Sequence, residues 1–251
     1  MHTAGTLLGG RVHYMQPTGG YRTGIEPVLL AASIPAAPGE RVLAAGTGAG
    51  AGLLCLAARV SGVVGVGIEL DPALAALAGA NFLANGFDRL TVHAGDLLAW
   101  RLDAERFDHA FANPPWHQAS CTPSPEPRRR AAKQATSGLL ATWVSAMARA
   151  LRPGGTLSLI LPCASLSEAM AALNAARFQE VILFPLWPRA EMPAKLMILQ
   201  GKHLGRGPGQ VLPGLVLHEG ASFSAEADAI IRESRPTSLA LAARRYPGAR
   251  D

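Results

Sequence analysis

Apolar residues along this chain fall into two alternating rhythms, short β-branched runs and longer alanine-rich stretches. Arg41–Ala45 is a short apolar run that ends in a glycine cluster, and Ala51–Val60 follows it with helical composition. Gly62–Leu70 (GVVGVGIEL) is a continuous apolar run ending at an acid, which predicts a buried strand. Asp71 is a good N-cap and Pro72 suits a first helical position, so Pro72–Asn85 predicts a helix. Leu90–Asp96 predicts a strand ending in Gly-Asp, and Phe107–Ala112 another ending in Asn-Pro-Pro-Trp. Ala131–Leu151 reads as a long amphipathic helix closed by Pro-Gly-Gly. Thr156–Pro162 predicts a strand and Ser165–Phe178 a helix, with Glu180–Leu186 and Ala194–Gln200 as a final pair of strands.

Strands alternating with helices of this length predict an α/β fold, a doubly wound, mostly parallel seven-stranded sheet with helices on both faces. The last two strands are joined by a short connection, too short for a parallel crossover, so the last strand is expected to be antiparallel. The flanks differ in character. Residues 1–25 hold two arginines and no acid, with Arg11–Gln16 as a possible strand. Residues 26–202 form the expected sheet domain. Residues 203–251 are rich in Gly, Pro and Arg, with one helix expected at Ala225–Glu233 and a frayed last dozen residues.

Composition narrows the class. With 49% hydrophobic and 16% charged residues in 251, the chain is too apolar for disorder. The longest uncharged run, Val42–Ala58, holds four glycines and is shorter than the roughly 20 apolar residues of a membrane span, so no such span is expected. Met1–Gly10 lacks the basic start and apolar core of a signal peptide. Cys55, Cys121 and Cys163 are scattered and odd in number, which fits a reducing, cytoplasmic setting, and no Cys/His spacing resembles a zinc site. The net charge is +5, with 20 Arg against three Lys. A GC-rich genome accounts for that ratio as well as any ligand does, since 46 Ala and 27 Gly accompany it. The basic surplus itself points weakly to an anionic partner.

The chemistry concentrates at strand ends. Gly46-Thr47-Gly48-Ala49-Gly50 lets the backbone approach a ligand, and the following helix presents free N–H groups. On its own this fits a dinucleotide site, or a turn that only packs helix on strand. Glu69 ends the second strand, where a carboxylate can accept hydrogen bonds from both hydroxyls of a ribose; otherwise it is a solvated strand-end acid. Asp96 ends the third, where it can accept from an exocyclic amine such as adenine N6 or cap a helix. Asn113-Pro114-Pro115-Trp116 ends the fourth. Its prolines withdraw two backbone donors, which frees a carbonyl, and the asparagine adds a second acceptor. Two such oxygens can hold a planar NH₂ group and aim its lone pair at an electrophile, with Trp116 stacked on the ring that bears it.

These four features, in this order and spacing, resemble the Rossmann-like S-adenosylmethionine-dependent amino-methyltransferases, whose Asn-Pro-Pro-aromatic motif goes with methylation of planar nitrogens. Leu7–Gly10, Gln16–Gly24, Val28–Ala32, Trp143, Lys195 and Pro213–Gly220 extend the resemblance to the bacterial tRNA-valine adenine-N6 methyltransferase family. The resemblance implies a class I methyltransferase fold and S-adenosylmethionine as cofactor. It implies cofactor contacts at Thr23, Gly46, Thr47, Gly48, Gly50, Glu69, Leu70, Asp96, Leu97 and Asn113, with Asn113, Pro114, Pro115 and Trp116 catalytic. Thr23 and Glu26 resemble a segment that closes over the cofactor. The chain departs from the family at Ala44, where an acid usually begins the glycine loop, and at Thr47.

On the substrate side, Arg128, Arg129, Arg130 and Lys133 form the densest basic cluster, a dozen residues past the Asn-Pro-Pro-Trp motif. Cations at a helix start oppose the macrodipole, so contact with RNA phosphates explains them better than helix stability does. The expected reaction is therefore methylation of an exocyclic amine of RNA, adenine N6 of tRNA foremost. The alternatives are a protein glutamine or small-molecule substrate on the same fold, an NAD-linked oxidoreductase, or a silent RNA-binding relative. No metal is expected to take part.

Overall fold

The computed structural model describes residues 2–19, 23–100, 106–114 and 138–245. An antiparallel hairpin opens the chain, β1 (His2–Leu7) and β2 (Val12–Pro17), followed by α1 (Glu26–Ser33). Alternating units come next: β3 (Arg41–Ala45), α2 (Ala51–Arg59), β4 (Val64–Glu69), α3 (Pro72–Ala84), β5 (Leu90–Ala94) and β6 (Phe107–Ala112). Then follow α4 (Leu139–Ala150), β7 (Leu151–Pro162), α5 (Leu166–Ala175), β8 (Phe178–Trp187) and β9 (Leu196–His203). Four two-residue strands, β10 (Gln210–Val211), β11 (Leu215–Val216), β12 (His218–Glu219) and β13 (Ser222–Phe223), lead to α6 (Ala225–Glu233) and α7 (Ser238–Arg245).

The main sheet runs in the order β10-β8-β9-β7-β6-β3-β4-β5, with β11 also on β8. β3 to β7 are parallel, and β9 lies antiparallel between β7 and β8. The expected doubly wound sheet and reversed last strand are present. Its strand number is larger than the seven expected, because β10 and β11 extend the β8 edge to nine. Chain order reverses at β3, flanked by β4 on one side and β6 on the other, which opens a crevice at their carboxyl ends.

Successive residues of a strand face opposite ways, and here they feed two separate cores. Val42, Ala44 and Ile160 pack with α1, α2, α3, α6 and the hairpin. Leu43, Ala45, Leu157, Leu159 and Leu161 pack with α4 and α5. Ser158 faces the first core, where Gln200 Nε2 donates to its Oγ (2.9 Å) and to the Ser33 carbonyl (3.1 Å). Thr237 continues this buried chain through Ser33 Oγ (3.1 Å) and through its own N–H to the Ala32 carbonyl (3.0 Å). The polar residues thus anchor the start of α7.

Several boundaries differ from the sequence expectation. Leu151 begins β7 instead of ending the helix before it. It is fully buried and pairs with Phe107, and a register shift between Phe107 and His109 accommodates Pro153-Gly154-Gly155 within the strand. Phe178 is the first residue of β8 instead of the last of a helix, because α5 stops at Ala175 and Arg177 takes a left-handed turn (φ 62°). Of the stretch expected to fray, residues 241–245 form the end of α7, and the rest lies outside the described residues. β1 was not expected, and its residues are mostly exposed. Among the described residues no helix is long and apolar enough to cross a membrane.

The hairpin is held without joining the main sheet. Asn81 of α3 and Asn85, the C-cap one turn further on, mimic a partner strand. Asn81 accepts from Met15 N (2.9 Å) and donates to Met15 O (2.9 Å), and Asn85 does the same with His13 (2.8 and 2.7 Å). Asn81 Nδ2 also donates to the Ala49 carbonyl (2.9 Å). Asn81→Ala leaves three backbone groups without partners, the buried Ala49 carbonyl and the half-buried N–H and carbonyl of Met15, so denaturant unfolding is expected to show a loss of about 2–3 kcal/mol.

At the amino ends of the strands, Glu40 meets His109 Nε2 (2.8 Å), and Thr156 Oγ1 meets His109 Nδ1 (2.7 Å). The His109 hydrogen bond, helped by Ala37 N–H and opposed by partial burial, holds the Glu40 carboxyl below its ordinary value of 4.5. A lowered folded value means stability that is present above pH 4.5 and lost as pH falls through the folded value. The stability difference between wild type and Glu40→Gln is therefore expected to be full at pH 7 and to shrink below about 4.5, read by denaturant titration at each pH.

Candidate active site

The sheet register brings the strand-end residues into one row. Ala45 pairs with Ala112 on one side and Ile68 on the other, and Glu69 pairs with Ala94. Asn113, Gly46, Glu69 and Gly95-Asp96 therefore follow at neighbouring strand ends, spaced by about 4.8 Å per strand. The row lies at the reversal of strand order, where open α/β sheets bind ligands.

The turn after β3 is shaped by what presses on it. Gly46 is left-handed (φ 62°), and a Cβ on it would lie 2.8 Å from the six-membered ring of Trp143, which α4 carries over the loop. Gly50 is left-handed too (φ 90°), and a Cβ there would meet the Phe82 ring of α3. Gly48, also left-handed, faces open space. Thr47 is turned down onto Gly67 of β4, and its N–H donates to the Ile68 carbonyl (3.1 Å). Side chains beyond hydrogen are thus excluded beneath and beside the loop, while its upper surface stays open.

Glu69 is half-buried and locks this loop: Oε2 accepts from Gly48 N–H (2.8 Å) and Oε1 from Asp71 N–H (3.0 Å). A carboxylate has about four acceptor positions, so each oxygen keeps one for a ligand. Leu70 beside it is 71% exposed. Asp96 is exposed, and its Oδ1 accepts from Leu98 N–H (2.9 Å) with lone pairs to spare; this bond closes a turn over residues 97–99 and is not the helix cap that its position also allows. Leu97 is buried in the second core. Trp100 lies against Gly95 and tilts over His93, with ring centres 4.7 Å apart.

Asn113 is half-buried and Pro114 buried at the end of β6. Among the described residues the Asn113 amide takes no partner. Pro115, Trp116, Arg128, Arg129, Arg130 and Lys133 lie outside the described residues. Thr23 sits against the hairpin, with its Oγ1 2.7 Å from the Tyr14 hydroxyl and its N–H on Gln16 Oε1 (3.1 Å). Burial raises the Tyr14 pKa, which keeps that hydroxyl neutral. Glu26, at the first turn of α1, has a buried Oε2 with no hydrogen-bond partner.

Two residues of the site were not assigned roles from sequence. Trp143 roofs Gly46, and Asn81 ties the hairpin to Ala49 of the loop. The signals available were a lone large aromatic in an alanine-rich helix and two asparagines four residues apart in another.

No family model matches the chain. Among curated proteins it is 33% identical over 182 residues to a tRNA1(Val) (adenine(37)-N6)-methyltransferase of Porphyromonas gingivalis, covering 65% of this chain and 69% of that one. A protein of the same name from Shewanella loihica is 35% identical over 157 residues, covering 58% and 62%. Among solved structures, a predicted O-methyltransferase from Agrobacterium tumefaciens superposes with a TM-score of 0.70 at 23% identity, covering 84% and 96%, a likeness of fold.

Gly46→Ala and Gly48→Ala incur the same left-handed backbone strain, but only the first also collides with Trp143. Thermal unfolding is expected to fall further for Gly46→Ala, while calorimetry shows both variants losing affinity for S-adenosylhomocysteine.

Proposed function

We infer a function from one premise: this chain belongs to the family of the tRNA1(Val) (adenine(37)-N6)-methyltransferases. It is an S-adenosylmethionine-dependent methyltransferase, and its substrate is the exocyclic N6 amine of an adenine in tRNA. The observation that carries the reading is the row at the strand ends, with an amine-holding motif two strands from a ribose-holding carboxylate and a left-handed glycine turn between them.

The residues present fit the cofactor. The open upper face of Gly48 and the start of α2 suit a close approach by its amino-acid portion. The spare lone pairs of Glu69 suit the ribose hydroxyls, and Asp96 suits the adenine amine. Thr47, Leu70 and Leu97 complete the proposed contacts, with Thr23 from the N-terminal segment. Ala44 is packed in the first core and offers no charge. The donorless carboxylate oxygen of Glu26 supports a contact with the cofactor's ammonium, the partner Ala44 leaves without an acid.

When bound, the cofactor supplies a methyl group on a sulfonium, a strong electrophile. The chain's task is to present the nucleophile. The Asn113 side-chain oxygen and the backbone carbonyl before Pro114 accept the two N–H bonds of the amine and turn its lone pair outward. Pro115 and Trp116 are proposed to complete this holder, Trp116 by stacking. The methylated nitrogen is strongly acidic and releases its proton to water, so no dedicated base is needed.

Arg128, Arg129, Arg130 and Lys133 are proposed as phosphate contacts near the target base. Residues 26–202 are proposed as the methyltransferase unit, with 1–25 and 203–251 as flanking segments. A tRNA substrate and scattered cysteines support a cytoplasmic location.

Incubation with methyl-labelled cofactor and total tRNA, followed by nucleoside analysis, is expected to yield N6-methyladenosine. Asn113→Ala is expected to lower turnover about a hundredfold or more while weakening S-adenosylhomocysteine binding far less, since the other cofactor contacts remain. Unchanged turnover would remove Asn113 from the amine-holding role, and a labelled product other than a methylated adenine would overturn the substrate.

A further inference from the structure

The end of the sheet opposite the reaction site carries an excess of cations. Arg106 precedes β6, Arg152 is the second residue of β7, and Arg177 precedes β8. The antiparallel β9 brings Lys202 and His203 to the same end, and Arg206 follows in the next turn. β6, β7, β9 and β8 are consecutive neighbours, so the row extends over three strand spacings, about 14 Å. All four arginines are exposed. It lies about 23 Å from Asn113, the length of β6 with one residue at each end.

Local structure accounts for only part of this charge. Asp108 bonds Arg152 and the Arg41 N–H. Glu180 takes Lys202 (3.4 Å) and the backbone N–H groups of Arg206 and Gly207. Among the described residues Arg106, Arg177 and the Arg206 guanidinium have no acidic partner. Their proximity is felt at His203: burial lowers its pKa, and the Arg177 and Arg106 charges push the same way, against a hydrogen bond to the Arg152 carbonyl. His203 packs on Phe178 (ring centres 5.3 Å), and its Nδ1 is buried without a partner.

A second observation is independent of charge. Arg177 follows the C-cap of α5 in the left-handed conformation (φ 62°), a position where glycine is strongly favoured. A cation near a helix C-terminus gains from the dipole, but that gain does not require the strained residue. Arg106 and Arg206 end no helix.

We propose that Arg106, Arg152, Arg177 and Arg206, with Lys202 and His203, form a second contact for the phosphate backbone of the RNA substrate, remote from the methylated base. The row is too long for a single phosphate and matches several nucleotides of backbone. Such contacts set the register of a structured RNA and read no sequence. The inference rests on the reading of tRNA as substrate.

The test uses the full chain and a transcribed valine tRNA, alongside the same tRNA with guanosine at the target position. The variant Arg106→Gln/Arg177→Gly/Arg206→Gln is expected to bind both RNAs about tenfold or more weakly near 0.1 M salt. Its slope of log affinity against log salt is expected to fall by roughly 2 to 3. S-adenosylhomocysteine affinity stays unchanged. Arg177→Gly alone is expected to raise the unfolding midpoint by a few degrees while weakening RNA binding, a pairing that a purely structural arginine would not give. Wild-type methylation of this tRNA with unchanged affinity and slope in the triple variant would overturn the patch and leave the substrate intact. A wild type that neither binds nor methylates it would overturn both.

Discussion

The site depends on a steric constraint at the turn after β3. Three elements distant in sequence converge there, and each places a ring or side chain where a Cβ would stand. Trp143 of α4 covers Gly46, Phe82 of α3 meets Gly50, and Phe111 of β6 fills the space at Gly52. Packing this dense tolerates no extra methyl group without displacement. The close approach draws α2 down onto the sheet and sets its first turn beside the ends of β4 and β6. The surface proposed for the ligand is what remains uncovered once the lower side of the loop is sealed.

The flanking segments bear on the same point from outside. β2 does not pair with the main sheet, and its edge groups are satisfied by Asn81 and Asn85. Because Asn81 also holds the Ala49 carbonyl, the hairpin and the glycine turn share one buried side chain. α6 packs on the hairpin turn, where Arg11 reaches the Arg232 carbonyl (2.7 Å), and Thr237 ties α7 to α1. Both termini therefore brace the face that carries Thr23 and Glu26.

What was legible in the sequence followed from local rules. β3 and β6 were read to the residue, as was α6, because glycine, the Asn-Pro pair and a serine cap mark their ends. The placement of the strand-end residues was legible for the same reason: in a parallel sheet, position at a strand's carboxyl end already assigns a residue to the crevice. Elements that depend on distant partners were not legible. β1 (HTAGTL) has no apolar alternation because its strand is held by β2 and not by burial of its side chains. Leu151 carries helical composition before a Pro-Gly-Gly stop, yet pairing with Phe107 claims it. Trp143 and Asn81 are ordinary helix residues until the fold sets one over Gly46 and the other beside Ala49.

Glu69 shows how fold and function share one group. Its two N–H bonds belong to the folded chain and hold Gly48 and the start of α3 in place without any ligand. Glu69 is the last residue of β4, and the acceptor positions left over stay with it at that strand end. The loop is therefore ordered by folding, and the conformational entropy of arranging it is not charged against ligand binding. The same carboxylate that fixes the left-handed turn keeps acceptor capacity for the proposed ribose contact. On the proposed reading, a substitution there acts on the shape of the turn and on the ribose contact at once, so the two do not separate into different residues.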